Sequence, residues 1–370
     1  MSDIQMAGPM ITEADEAIVR DAVANGWYGE KAYSYVEKFE AGFAAYHGRT
    51  YGLMTPNCTT ALHLLLAALD ISAGDEVIVP DCTWVGTSAC ITYQGAHIVF
   101  ADIDPDHWCI TPNTLERAIT GRTKAAIIVD LYGNMPDWDG LREVAQKRGI
   151  LLIEDAAEAI GSTFRGVRAG KFGIASAFSF HRTKTITTGE GGMLLLDDKT
   201  LFERCSFLRD HGREPGKYYV SEIAFKYMPF NVQASLGYAQ FLRIDELVEK
   251  KRWIWKQYRE SLADVPDIFF NPEPDHVHNG VWCTSLVFGS SWGMTKDRAM
   301  AELRELGLPS RPFFYPLSSL PAYPGREEGG RQDSPVSYDI SARAINLPSA
   351  LNLTEDQIDR MCAGIRQILG

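Results

Sequence analysis

"FSFHRTKTITTGEGGM", residues 178–193, sets one lysine, Lys184, in a threonine-rich turn between an aromatic run and a glycine cluster. The flanking segments "SAFSF" (176–180) and "GGMLLL" (191–196) read as strands, so the turn hangs from a sheet. Outward from it the same pattern recurs. "EVIVP" (76–80), "HIVFADI" (97–103), "KAAIIVDL" (124–131) and "ILLIEDAA" (150–157) are nearly all apolar, as strands covered on both faces must be. Helical stretches lie between them. "TTALHLLLAALD" (59–70) repeats apolar residues at helical spacing, and "DWDGLREVAQKRG" (137–149) is amphipathic and stops at a glycine. "TPNTLERAI" (111–119) offers Thr111 as N-cap with Pro112 at the first helical position. Alternation of this kind predicts an α/β fold with a mostly parallel sheet.

The pattern changes after about residue 230. Residues 233–262 read as one long helix, followed by a smaller mixed region. Its last element, 353–369, carries Thr354 and Gln357 at capping-box spacing. The expected division is a large domain over 1–245 and a small C-terminal α/β domain over 246–370. "PGREEGGRQDS" (324–334) reads as a polar loop.

The composition narrows the function. At 370 residues, 45% hydrophobic and 23% charged, the chain has the balance of a soluble enzyme with a large core. A net charge of −12 argues against nucleic-acid backbone binding as its main task. The N-terminus has neither a basic n-region nor an apolar h-region, so no signal peptide is expected. Seven scattered cysteines without a CxxC read as reduced thiols of a cytoplasmic protein. His276 and His278 read as a solvated turn, and no metal site is expected.

Ligands of open α/β sheets bind beyond the carboxyl ends of the strands, and four residue groups fall there. Each has an ordinary reading. The helix start at Asn57, Cys58 and Thr59 can be simple capping, and Trp84 can be core. Asp155 can pair with a structural arginine, and Lys184 with Glu190. Together they match the needs of pyridoxal 5′-phosphate. The phosphate goes to the free amides of the helix start and to Ser179, and the ring stacks on Trp84. Asp155 keeps the pyridine nitrogen protonated, and Lys184 holds the aldehyde as a Schiff base.

"SFSFHRTKTITTGEGGM", "IEDAAEAIGS" and "NCTTALHLLLAALDI" closely resemble the sugar-nucleotide aminotransferases of the DegT/DnrJ/EryC1/StrS family. The likeness runs from "GWYG" near residue 28 to "INLP" near 345. It implies an aspartate-aminotransferase-like (type I) fold, with a mostly parallel seven-stranded-type sheet in the large domain. It also implies a homodimer with shared active sites. By position, the resemblance makes Lys184 the cofactor lysine, Asp155 the pyridinium partner, Trp84 the stacking residue and Glu158 the residue beside the ring. It assigns Ser179, Cys58 and Thr59 to the phosphate, with Cys58 in place of a usual glycine. "FKYMPFNVQAS" (225–235) matches a segment that reaches the partner's site. The resemblance gives Lys226 a contact to the partner's cofactor phosphate, with Asn231 a lesser candidate.

The expected reaction is transamination from glutamate in ping-pong order, with Lys184 as the proton carrier. A dehydratase relative carries histidine where this chain has Lys184, which favours amino transfer here. "KTITTGEGGM", "EDAAEA" and "RPFFYPL" (311–317) look most like enzymes that aminate C4 of GDP-4-keto-6-deoxymannose. Arg311 would pair with the nucleotide diphosphate or bind a helix C-terminus. Phe313, Phe314 and Tyr315 would line the sugar pocket or the core, and His181 adds to the substrate-binding set. Ser318 and Ser319 stand where many relatives have a histidine. The alternatives are C3 or C4 amination of a UDP- or dTDP-keto sugar, a cofactor-binding dehydratase or regulator, and an α/β protein whose lysine is structural.

Overall fold

A computed structural model describes residues 4–325 and 327–370. The large sheet has seven strands, in the order Tyr51–Thr55, Gly192–Leu196, Ala175–Ser179, Leu151–Asp155, Thr123–Val129, Glu76–Pro80 and His97–Ala101. Every neighbouring pair is parallel except the two made by Gly192–Leu196. Six of these strands are legible in the sequence; Tyr51–Thr55, short and opened by Tyr51 and Gly52, is not.

Alternate side chains of each strand enter opposite cores. Val77, Val79, Ile127, Ile153, Ala177 and Leu194 face the helices Cys58–Ala68 and Lys199–Arg209. Ile78, Ile128, Leu152, Phe178 and Met193 face the helices Ser34–Tyr46 and Trp138–Arg148. This double burial explains the continuous apolar runs. The cap signals hold: Thr111 with Pro112 opens Pro112–Ala118, Gly149 ends Trp138–Arg148 in the left-handed region, and Thr354 and Gln357 form a capping box at Glu355–Leu369.

The expected single helix over 233–262 is instead two, Asn231–Phe241 and Ile244–Ser261. Arg243 leaves helical geometry at φ −128°, ψ 32°, and its guanidinium sits 3.2 Å from Asp15 and 2.8 Å from Glu246. The first helix packs on Glu13–Asn25 and Ser34–Tyr46, the second on the C-terminal helix Glu355–Leu369. Two packing directions override one continuous apolar period. The loop expected at 324–334 contains a short helix, Glu327–Asp333, while Arg326 lies outside the described residues.

Beyond the break, Ile268–Phe270, Ser285–Phe288, Ala344–Asn346 and Arg311–Pro312 form an antiparallel sheet of four strands. It has its own core, built on Ile254, Tyr258, Leu286, Phe288, Met361 and Ile365, which Ile4 joins from the N-terminal segment. We propose the expected 245/246 division as the domain boundary on the strength of this second core; Leu247 and Val248, just past it, still pack in the large-sheet core, and Val287, Phe313 and Ala344 join Cys82 and Tyr132 in a cluster that spans both parts. All seven cysteines are free and buried, and no metal-binding cluster occurs among the described residues.

Candidate active site

The carboxyl ends of the strands deliver the residues of one cleft. Ser179 ends its strand opposite Gly192, which also pairs with Thr55. Glycine is required at 192 because a Cβ there would lie 2.4 Å from the Asn57 carbonyl carbon and 2.6 Å from the Cys58 nitrogen. That close approach seats the start of the Cys58–Ala68 helix over the Ser179 strand end. Asn57 Oδ1 accepts from the Thr60 amide at 2.9 Å, completing the cap. The amides of Cys58 and Thr59 have no acceptor among the described residues, so the helix start offers two free donors and the positive end of its dipole. The Ser179 hydroxyl oxygen accepts from the His181 amide at 3.3 Å.

A second helix, Val85–Tyr93, begins beside the first. A Cβ on Gly86 would fall 2.6 Å from Thr59 Oγ1 and 3.1 Å from Trp84 Cδ1, so glycine there lets the two helix starts approach closely. Trp84 is not core: it is 63% exposed, a flat face open to the cleft.

Asp155 is the last residue of its strand and is buried. Its Oδ2 accepts from Thr87 Oγ1 at 2.8 Å, and its Oδ1 from the Ala157 amide at 3.2 Å and the Cys58 thiol at 3.7 Å. Burial pushes the carboxyl above its ordinary pKa, while these donors and the Lys184 charge pull the other way. Burial and the Asp155 charge push the Cys58 thiol well up, so it stays protonated and donates.

Lys184 pairs with Glu158 rather than Glu190. Its Nζ donates to Glu158 Oε1 at 3.1 Å, and both side chains are nearly buried. Glu190 instead lies 3.8 Å from His181 Nε2. Glu158 is pushed up by burial and pulled down by Lys184. Its second oxygen accepts from the Tyr132 amide at 2.8 Å. Tyr132 is held at φ +54° to present that amide, a conformation a bulky residue adopts only when its surroundings impose it.

The Lys184 ammonium also sits 3.5 Å from the centroid of Trp282, whose Nε1 donates to the Thr183 carbonyl at 2.8 Å. Trp282 follows Val281, a β-branched residue at φ +48° whose amide is pinned to Asn279 Oδ1 at 2.7 Å. Tyr132, Trp282 and Phe314 lie mutually near-parallel, with centroids 5.7 Å, 5.1 Å and 6.4 Å apart, and Phe314 approaches Trp84 at 6.1 Å. These rings make one continuous wall. The strand-end rule would have found Tyr132, which follows Thr123–Val129 by three residues. Nothing local in the sequence marks Trp282.

The remaining candidates separate. Arg311 lies on the small sheet opposite Asn346, whose amide donates to the Tyr132 hydroxyl at 3.1 Å. Arg311 itself is exposed, and its charge bears on His181 and Cys283. His181 bonds Thr183 Oγ1 at 2.9 Å, and burial lowers its pKa. Phe313 is core, whereas Tyr315 is 44% exposed beneath the Lys296 ammonium. Ser318 ties this segment to the large sheet through two 2.7 Å bonds to Asp81. Lys226 is away from this cleft in its own chain, bonded to Asp210 at 2.8 Å. The buried Asn231 is used within the chain: its side chain accepts from the Tyr35 amide at 2.8 Å and donates to the Lys31 carbonyl at 3.0 Å.

This donor set fits pyridoxal phosphate. Two free helix amides lie near a strand-end serine, an open indole face adjoins them, and a buried carboxylate and an amine complete the cleft. Comparison with known proteins agrees. The family model for DegT/DnrJ/EryC1/StrS aminotransferases matches residues 9–366. The chain is 36% identical to a GDP-perosamine synthase of Caulobacter vibrioides, covering all of both chains, and 35% identical to one of Vibrio cholerae, covering 97% of each. Among solved structures it is similar to the aminotransferase TlmJ of Streptoalloteichus hindustanus, with TM-score 0.91, 28% identity and coverage of 99% and 98%. It is also similar to DesV of S. venezuelae, solved with a ketimine intermediate, with TM-score 0.86, 28% identity and coverage of 96% and 94%.

Proposed function

The chain belongs to the DegT/DnrJ/EryC1/StrS aminotransferase family and is a pyridoxal-phosphate-dependent sugar aminotransferase; from that premise we propose that it moves the amino group of glutamate to C4 of GDP-4-keto-6-deoxymannose, giving GDP-perosamine. The observation that carries the chemistry is the Lys184 amine, held 3.1 Å from Glu158, with its charge bearing on the buried Asp155 carboxylate. The sugar assignment is supported by full-length likeness to GDP-perosamine synthases at 34–36% identity.

Bound pyridoxal phosphate supplies an electron sink for the negative charge that develops at the donor's α-carbon. The protein's residues do the rest. Ser179 and the amides of Cys58 and Thr59 would hold the phosphate, and Trp84 would stack on the ring. Asp155 would keep the ring nitrogen positive. Lys184 Nζ would take the proton from the donor's α-carbon and pass it to the cofactor's C4′ in the first half-reaction, and would carry it from C4′ to C4 of the sugar in the second. Glu158, fixed by the Tyr132 amide, would hold the ammonium that forms transiently within each transfer. Arg311 receives the diphosphate, with His181 and Tyr315 bordering the sugar.

The same reading includes a cytoplasmic homodimer in which Lys226 reaches the partner's cofactor phosphate. Exposed Tyr218, Tyr219 and Ile223 near Lys226 support a second copy as their cover, because such a patch is unusual on a monomer. Among the described residues no helix is long and apolar enough to cross a membrane.

The test supplies purified enzyme with glutamate and GDP-4-keto-6-deoxymannose and reads the product by mass spectrometry. The amino sugar nucleotide is expected. Product only from the UDP- or dTDP-linked keto sugars would keep the aminotransferase and replace its substrate. Light scattering at micromolar concentration reads the dimer.

A further inference from the structure

Thr87 has no place in the reading above, yet it makes the shortest bond to Asp155. It lies one turn into the Val85–Tyr93 helix, the element that Trp84 opens. Its hydroxyl gives its one hydrogen to Asp155 Oδ2 at 2.8 Å, and Thr83 Oγ1 stands 3.4 Å behind it. Since Thr87 has spent its proton, that contact runs as a relay from Thr83 to Thr87 to Asp155. On the other side, Cys58 opens the Cys58–Ala68 helix and directs its thiol to Asp155 Oδ1 at 3.7 Å. All three side chains are buried: Thr83 at 4%, Thr87 at 3% and Cys58 at 9% exposure.

We propose that Thr87 and Cys58 are positioning residues that grip the two oxygens of Asp155 and hold it, ionised and aimed, against the cofactor's ring nitrogen. The proposal rests on the reading of Asp155 as the partner of that nitrogen. Its physical basis is a conflict. Burial favours the neutral acid at Asp155, and a neutral acid would not keep the ring nitrogen positive. Hydrogen bonds to the charged form favour the anion, and a hydroxyl donor at 2.8 Å is the strongest available there. The Ala157 amide adds a third donor that no side-chain change removes.

The arrangement also couples the two ends of the cofactor. The Cys58 amide would meet the phosphate while its thiol reaches Asp155. The second helix carries both Trp84, which would stack on the ring, and Thr87, which bonds Asp155. A shift of the first helix start would therefore disturb phosphate and nitrogen contacts together.

The experiment uses Thr87→Val, which keeps the shape and removes the hydroxyl, with Thr87→Ser, Cys58→Ala and Asp155→Asn alongside. Two quantities are read on each: the dissociation constant of pyridoxal phosphate from the apoprotein, and the 15N chemical shift of ring-labelled cofactor, which reports protonation of its nitrogen. We expect Thr87→Val to weaken binding by about 10- to 100-fold, the loss typical of a hydrogen bond to a charged group, and to move the shift toward the unprotonated value. Thr87→Ser restores both, and Cys58→Ala gives a smaller change of the same sign, since a thiol is a weak donor. A Thr87→Val protein with unchanged shift and binding overturns the proposal. If Asp155→Asn also leaves both unchanged, the reading of Asp155 fails instead. If Thr87→Val does not fold, Cys58→Ala decides: an unchanged 15N shift there rejects the grip.

Discussion

The Lys184 ammonium lies 3.1 Å from Glu158 and 3.5 Å from the centre of the Trp282 ring, so one buried cation is held by a carboxylate and an aromatic face together. Removing one partner of such a pair strands the other. Glu158→Ala should therefore destabilise the apoprotein by about 3–5 kcal/mol, the usual cost of an uncompensated buried charge. Binding of pyridoxal phosphate, which consumes the Lys184 charge, should recover much of that loss. Urea unfolding of the apo and loaded forms measures both. Equal destabilisation of the two forms would show that the ion pair is not what Glu158 contributes.

Lys184→Ala should abolish the visible absorbance that the loaded protein shows and lower turnover by at least about 100-fold, the lower end of what a positioned proton carrier contributes. Methylamine added to the variant restores part of the rate if the amine is the missing element.

Trp84→Ala should weaken pyridoxal phosphate binding about tenfold, as expected from losing one aromatic stack. Trp84→Phe, which keeps a flat ring, should lose much less. Absorbance titration of the apoproteins compares them. Equal losses would remove stacking as the role of this exposed indole.

Gly192→Ala should be damaging although alanine is small. Its Cβ would meet the Asn57–Cys58 peptide at 2.4 Å, and backbone cannot move aside as a side chain can. A cost of about 1–3 kcal/mol is expected from overpacking, with weaker inhibition of the apoprotein's cofactor uptake by free phosphate, because the displaced helix start carries the two free amides. Thermal unfolding and phosphate competition read the two effects.

Beneath the site, Asp130 and Glu154 form a buried acidic pair. Burial raises Glu154 to about 7, and burial together with the Glu154 charge pushes Asp130 well up. In the unfolded chain these groups ionise in the ordinary carboxylate range. Between that range and about pH 7 the folded protein holds more protons than the unfolded one. The stability this pair contributes is therefore greatest below the unfolded pKa and falls as pH rises through the window. The apoprotein should lose a few kcal/mol, in order of magnitude, between about pH 4.5 and pH 7. Asp130→Asn, which imitates the neutral acid, should flatten that slope. Urea midpoints across pH provide the check, and a slope unchanged in the variant would mean that Asp130 is not protonated.

The sequence by itself determined six of the seven strands of the large sheet, because residues buried on both faces must be apolar whatever lies around them. It determined the helix ends at Thr111 and Thr354 because a cap is satisfied within one turn. It also located Lys184, Asp155, Glu158 and Ser179, since strand ends are where an α/β sheet binds, and the resemblance attached roles to them. Only the tertiary structure chose Glu158 over Glu190 as the lysine's partner, because Glu158 comes from the neighbouring strand end, 26 residues away in sequence. It alone broke the helix at Arg243, where two halves of one apolar pattern pack in different directions. It alone brought Trp282 to Thr183 across 99 residues and Thr87 to Asp155 across 68. Periodicity states which face of an element is buried; it carries no information about which distant side chain meets it there.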